Sequence, residues 1–153
     1  MSIDNLSFLD RRNLRPRSVF LLYITAHAIR SRIEQELRRL KLTGLHYSIL
    51  SMVQSNGSMS SAELSRRFYV TPQTMNGTIL TLERRGLLER HPAPTNARIR
   101  CIDLTPKGSA VVEECDAMVD VIEEEAFSSL DDLELAMLRR LTFRVFEGQK
   151  SRA

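Results

Sequence analysis

At 153 residues, with 42% hydrophobic and 27% charged side chains, the chain has the composition of a folded globular protein and not of a disordered one. It is long enough for one domain, or for one compact domain with an oligomerisation arm. No apolar run reaches the roughly 18 residues of a membrane span, so no membrane association is expected. The net charge of +3 hides a division: residues 1–105 carry 16 Lys and Arg against 8 Asp and Glu, whereas residues 106–153 carry 6 against 11. A basic front and an acidic rear point to a polyanion facing the front, or to clustering on solvated helices.

The elements read in chain order as six helices and one hairpin. Met1 to Asp10 lacks the basic start and apolar centre of a signal peptide. From Pro16 to Leu40, the residues Val19, Leu22, Tyr23, Ala26, Ile29, Ile33, Leu37 and Leu40 recur at steps of three and four, the period of a long amphipathic helix. Pro16 suits its first turn. Thr43-Gly44 breaks the pattern, a second helix follows over Leu45 to Gln54, and Ser55-Asn56-Gly57 ends it. Ser60-Ser61-Ala62-Glu63 is a capping box opening a short third helix over Ser61 to Phe68. Thr71-Pro72 is an N-cap followed by proline at the first helical position, and the fourth helix runs to Arg85 before Gly86, a good residue for a helix end. Two short helices joined by a tight turn make a helix-turn-helix.

Leu87 to Arg90 and Arg98 to Leu104 read as strands, and His91 to Ala97 between them, with two prolines, as a stiff hairpin tip. Thr105-Pro106 starts a fifth helix to about Phe127, with Val111, Cys115, Met118, Val119, Ile122 and Ala126 on one side. Ser129 is the expected cap of a last helix carrying Leu133, Met137, Leu141 and Val145. The fold expected is mainly α with a small β-hairpin wing (α+β): an N-terminal dimerisation helix over 1–42, a winged helix-turn-helix over 43–105, and C-terminal dimerisation helices over 106–153.

Reading a major groove takes a helix with short polar side chains outward and apolar ones behind. In the fourth helix Met75, Ile79 and Leu82 share a face that can pack on Leu64, Phe68 and Val70, and the opposite face offers Gln73, Asn76 and Gly77, with Thr71 and Thr74 at its start. Gln and Asn can pair bidentately with adenine, and the helix N-terminus favours a phosphate. Gly77 either lets backbone approach DNA or is a tolerated substitution. Arg66, Arg67, Arg84, Arg85, Arg90, Arg98 and Arg100 surround this helix, and Arg98 on a slim hairpin suits a minor groove. The candidate DNA-contacting set is Ser60, Ser61, Thr71, Gln73, Thr74, Asn76, Gly77, Arg84, Arg90, Arg98 and Arg100.

The stretches Ala62-Glu63-Leu64-Ser65-Arg66-Arg67-Phe68, Val70-Thr71-Pro72-Gln73-Thr74-Met75 and Leu82-Glu83-Arg84-Arg85-Gly86-Leu87-Leu88-Glu89-Arg90 resemble, in that order and spacing, the multiple antibiotic resistance regulator (MarR) family of bacterial transcription factors. Pro94-Thr95-Asn96-Ala97-Arg98 and Leu104-Thr105-Pro106-Lys107-Gly108 complete the likeness, which covers residues 60–108 closely. The resemblance implies a triangular homodimer, with the first, fifth and sixth helices at the subunit interface. Two recognition helices would enter successive major grooves of a pseudo-palindromic double-stranded operator. This chain departs from the family pattern twice: Asn96 stands where an aspartate usually braces the wing arginine, and Gly77 where arginine often contacts DNA.

The resemblance also implies release from DNA by a small anionic or phenolic effector or by cysteine oxidation. Tyr23, His27 and His46 are the candidate effector contacts, against ordinary packing. Cys101 and Cys115, the only two cysteines, have no metal or redox-motif spacing; they fit the reducing cytoplasm and are better read as buried structural thiols. His27, His46 and His91 lack metal-ligand spacing, so neither metal nor cofactor is expected. No nucleophile–base pair or phosphate loop suggests an enzyme, and the acidic run from Glu113 to Glu125 reads as a solvated helix face. The function expected is a sequence-specific DNA-binding transcriptional regulator, a repressor released by a small ligand. The alternatives are redox control through Cys101 or Cys115, and a winged-helix interaction module without DNA binding.

Overall fold

The computed structural model describes residues 17–93 and 96–150, without the side chains at 93, 96–99 and 150. Among the described residues the order is α1 (Ser18–Arg39), α2 (Gly44–Asn56), β1 (Met59–Ser60), α3 (Ser61–Phe68), α4 (Pro72–Arg84), β2 (Leu88–Ala93), β3 (Asn96–Leu104), α5 (Pro106–Ala126) and α6 (Asp132–Lys150). Mainly helical architecture with a hairpin wing is what the sequence pattern anticipates. Pro16, expected in the first turn of α1, lies outside the described residues.

Four local features differ from expectation. Gly44 does not merely break a pattern; it begins α2, because Thr43 caps it. The Thr43 hydroxyl accepts from the His46 N–H at 3.2 Å, and His46 Nδ1 accepts from the Thr43 N–H at 3.2 Å. The sheet has three strands in the order β1-β3-β2, since Met59 and Ser60 pair antiparallel with Ile102 and Cys101. The hairpin strands reach further than the prolines suggested: Pro92 pairs with Arg100 inside the ladder, and the register shifts between Pro92 and Ala93. β2 is an edge strand, where a missing N–H is tolerated if it faces away from the ladder. Finally, α6 is capped by Asp131 and not by Ser129. Asp131 Oδ1 accepts from the Glu134 N–H at 2.8 Å and Glu134 Oε2 from the Asp131 N–H at 3.0 Å, a reciprocal pair that satisfies two otherwise orphaned donors.

One core joins all parts of the chain that touch the winged head. Leu37 and Leu42 from the end of α1, Ile49, Leu50 and Val53 from α2, Leu64 from α3, Met75, Ile79 and Leu82 from α4, Leu87, Leu88 and Ile102 around the sheet, and Val112 and Cys115 from α5 form a single buried cluster. Each fully buried aliphatic side chain contributes about 1.5–3 kcal/mol.

Two helix ends are closed by the same device. After α4, Gly86 at φ +69° donates its N–H to Glu83 O and Leu87 to Leu82 O. After α1, Lys41 at φ +55° donates to Arg38 O and Leu42 to Leu37 O. Both are Schellman turns, and in both the apolar pair that flanks the turn (Leu82 with Leu87, Leu37 with Leu42) is buried. Glycine suits the left-handed position at 86; Lys41 holds it at a steric cost.

Apolar surface is left over. Val19, Leu22 and Tyr23 at the start of α1 and Leu133, Met137, Leu141, Phe143, Val145 and Phe146 on α6 are all exposed, Val19 and Leu133 at 72%. No described residue of α6 is buried. Exposed apolar side chains in such number along two helices mark an interface.

Gly108 is the tightest packing constraint. A Cβ there would lie 2.1 Å from Leu87 O and 2.8 Å from Leu104 Cδ2, so the first turn of α5 has to touch backbone directly. Gly108→Ala is expected to destabilise the fold by about 2–3 kcal/mol, the cost of overpacking. Urea unfolding at fixed protein concentration checks this, and an unchanged midpoint contradicts it.

Candidate nucleic-acid interface

The site begins with the side of α4 that the core takes. Met75, Ile79 and Leu82 are fully buried; at 100° per residue they occupy one side, and Gln73, Gly77, Leu80 and Arg84 fall opposite. Gln73, Gly77, Leu80 and Arg84 are all exposed. Thr71 caps the helix, its hydroxyl accepting from the Thr74 N–H at 3.1 Å and lying 2.9 Å from the Thr74 hydroxyl. With Pro72 at the first helical position, this leaves the remaining start of α4 facing solvent, where its partial positive charge attracts phosphate.

The packing helix α3 holds α4 by a polar contact as well as by its core. Ser61 donates its hydroxyl to Asn76 Oδ1 at 2.7 Å, while Ser60 and Glu63 form the expected capping box. Asn76, itself exposed, therefore has its amide oxygen already engaged. Full bidentate pairing with adenine needs both atoms, and Oδ1 keeps a second lone pair for it while Ser61 holds the first. The turn between α3 and α4 is set by Tyr69 in the left-handed conformation at φ +53°, a residue 81% exposed.

The arginines fall into two groups. Arg84 and Arg100 are exposed, as is Arg66 on α3. Others are engaged. Arg90 Nε lies 3.1 Å from Glu83 Oε1, tying β2 to α4. Arg85 donates to Lys41 O and Leu40 O, both at 2.8 Å, and so caps the carbonyl end of α1, where a cation is favoured. Of the remaining candidates, the Arg98 side chain lies outside the described residues, as does the wing tip at Pro94 and Thr95; the backbone of residues 96–98 belongs to β3.

The start of α5 clamps the end of α4. Thr105 donates its hydroxyl to Gly86 O at 2.6 Å and accepts from the Gly108 N–H at 3.0 Å, while Lys107 Nζ reaches Arg85 O at 2.9 Å. Neither Arg85 nor Lys107 was singled out for these roles from the sequence, because each partner is a backbone carbonyl far away in the chain.

At the base of the wing, both ring nitrogens of His91 face acceptors: Nδ1 is 3.0 Å from Pro92 O, and Nε2 is 2.5 Å from Asp103 Oδ2 and 3.1 Å from Ser58 Oγ. The Pro92 carbonyl first, then the Asp103 carboxylate, raise its pKa above the ordinary 6.5, since both favour the doubly protonated ring. His46 is shifted the other way, by burial and then by Arg85, which agrees with Nδ1 acting as an acceptor in the α2 cap.

The expected effector contacts are split. Tyr23 and His27 stack on α1 with ring centroids 6.2 Å apart, but His46 lies at the start of α2, and about 20 Å of helix axis separate His27 from the end of α1 at 1.5 Å per residue. Tyr47, not anticipated, donates to Asp116 Oδ1 at 2.6 Å; burial first, then Asp116, raises its pKa. Cys115 is fully buried, and burial with Glu114 and Asp116 nearby pushes its thiol up to about 11, so little reactive thiolate forms at neutral pH. Cys101 is half-buried in β3.

Two outcomes follow. A Cβ at Gly77 would meet nothing within 4 Å, so Gly77→Ala is expected to stabilise the fold by about 1 kcal/mol, the helix-propensity difference, measured by chemical unfolding; a loss would contradict the open geometry. The raised pKa of His91 means its contribution is fully present below pH 6.5 and is lost as pH rises through the folded value. The Tm difference between wild type and His91→Gln should therefore be largest at acid pH and fade at alkaline pH; a gap that is constant or grows with pH would contradict it.

Residues 40–99 match the MarR family profile. An HTH-type transcriptional repressor of Mycobacterium tuberculosis is 31% identical over 111 residues, spanning 72% of this chain and 80% of the relative. Among solved structures, a mutant MarR from E. coli complexed with operator DNA superposes with a TM-score of 0.72 at 23% identity, covering 82% of this chain and 90% of that one. BpsR of Bordetella bronchiseptica, solved in connection with regulation of its DNA binding by 6-hydroxynicotinic acid, gives 0.74 at 23% identity over 87% and 95%. The structural likenesses establish the winged-helix fold; with the sequence relationship, they lead to one assignment: the chain belongs to the MarR family.

Proposed function

We propose that this chain is a sequence-specific double-stranded DNA-binding transcriptional regulator, a repressor that acts as a homodimer on a pseudo-palindromic operator and is released by a small effector. The observation that carries the reading is α4 itself: its apolar side is fully buried and its outward side, from Gln73 through Gly77 to Arg84, is unobstructed. The uncovered apolar faces of α1 and α6 support the dimer, because a symmetric pair would bury them. The chain acts by binding and not by catalysis, and it works where its DNA lies, in the cytoplasm.

Within this reading, residues 43–105 read DNA, and 1–42 and 106–153 pair the subunits. Ser60, Thr71, Thr74, Arg84 and Arg100 position the head on phosphates, Arg98 enters the flanking minor groove, and Gln73 and Asn76 face base edges, with Ser61 orienting Asn76, Arg90 bracing β2 on α4 through Glu83 and Gly77 letting backbone close in. Tyr23 and His27, stacked on α1, are the side chains we assign to effector contact, and His46, engaged in the α2 cap, is left out of that set. Burial of Cys115 favours this over redox control through that thiol.

The test is selection of genomic fragments on the purified protein, followed by salt titration. A short palindrome should be enriched, and log affinity should fall linearly with log salt. Arg98→Ala should weaken all sequences alike and lower the salt slope by about 2, one contact per subunit, whereas Gln73→Ala should change base preference. No enriched palindrome together with salt-insensitive binding would overturn the reading.

A further inference from the structure

We propose that Leu80 is a specificity-determining residue that packs on the C5-methyl group of a thymine in the major groove, in a notch left open by Gly77. The proposal rests on the DNA-binding reading above.

Single exposed leucines are common on protein surfaces, but this one is on the base-facing side of α4. Every other Leu, Ile or Met of that helix is fully buried, whereas Leu80 is 43% exposed between Gly77 and Arg84. Helical side chains lean toward the N-terminus and cover the turn before their own Cα, so Leu80 overhangs the turn that contains Asn76 and Gly77. At Gly77 there is no side chain, and a Cβ added there would meet nothing within 4 Å. The isobutyl group is therefore bordered on its leading side by empty space and bare backbone.

The polar groups nearby already have partners within the protein. Thr78 donates its hydroxyl to Thr74 O at 2.9 Å, Thr81 donates to Gly77 O at 3.0 Å, and Asn76 Oδ1 takes the Ser61 hydroxyl. The centre of the reading face, at Gly77 and Leu80, is thus apolar, between a polar start at Gln73 and a cation at Arg84. In the major groove the one apolar feature on a base edge is the thymine methyl, and contact with it is a recognised mode of direct readout. A cytosine at the same place lacks that methyl and would leave the isobutyl group without its apolar partner.

The experiment uses the full chain and the operator recovered by selection. Each thymine is replaced in turn by 2′-deoxyuridine, which removes the methyl and nothing else, and affinity is measured for wild type, Leu80→Ala and Leu80→Met. Wild type should lose about four-fold per methyl, the value of one buried carbon, at one symmetry-related pair of thymines. Leu80→Ala should be indifferent to that replacement while keeping its response at other positions, and Leu80→Met should restore the sensitivity. An equal deoxyuridine penalty for wild type and Leu80→Ala at every position, or no penalty anywhere in wild type, overturns the proposal while leaving operator binding intact. Recovery of no operator at all instead removes the parent reading and this one together.

Discussion

Burial of Met75, Ile79 and Leu82 is the constraint on which the rest of this molecule depends. A helix has one rotational setting in which three such side chains leave water together, and once they do, the position of every other residue around α4 follows from 100° steps. Gln73, Gly77, Leu80 and Arg84 face outward for that reason and not because any contact pulls them there. The same burial links the reading head to the rest of the chain, since these residues share a core with Leu37 and Leu42 of α1 and Val112 and Cys115 of α5.

Polar contacts then fix what burial leaves loose. Hydrophobic packing sets rotation but restrains sliding along the helix axis poorly, and α4 is tied at both ends. Thr71 caps its start, and Thr105 and Lys107 hold the carbonyls of Gly86 and Arg85 at its finish. Arg85 reaches from the same turn to the end of α1. The recognition helix is thereby in direct contact with both α1 and α5, the helices we assign to subunit pairing. A change of angle between subunits has a short path to α4 through these bonds, which suits a regulator whose effector acts at a distance from DNA.

Much of this was legible in the sequence, and what was not has identifiable causes. Thr71-Pro72 and Gly86 bounded α4 correctly because caps and helix-ending glycines are local signals. β1 was invisible, since two residues have no readable period, and Pro92 concealed how far β2 continues along an edge. Ser129 and Asp131 could each cap α6; the longer Glu134 side chain completes a reciprocal pair with Asp131, and that decided between them. At the site, the sequence supplied Gln73, Asn76 and the arginines as a set, but not their division of labour. That Ser61 engages Asn76, that Arg90 pairs with Glu83 and that Arg85 caps α1 depend on which elements meet in space. Leu80 lies opposite Met75, Ile79 and Leu82 by 100° steps alone, but that it stays 43% exposed depends on how the other elements pack.

The central claim is that the outward side of α4 lies in the major groove. Dimethyl sulfate probing of the operator complex tests it directly, because the reagent methylates guanine N7 in the major groove and adenine N3 in the minor groove. The account predicts protection of guanine N7 in two tracts about one helical turn apart, with adenine N3 protection confined to the flanks that the wings reach. Protection restricted to adenine N3, with every guanine N7 in the operator as reactive as in free DNA, would contradict it.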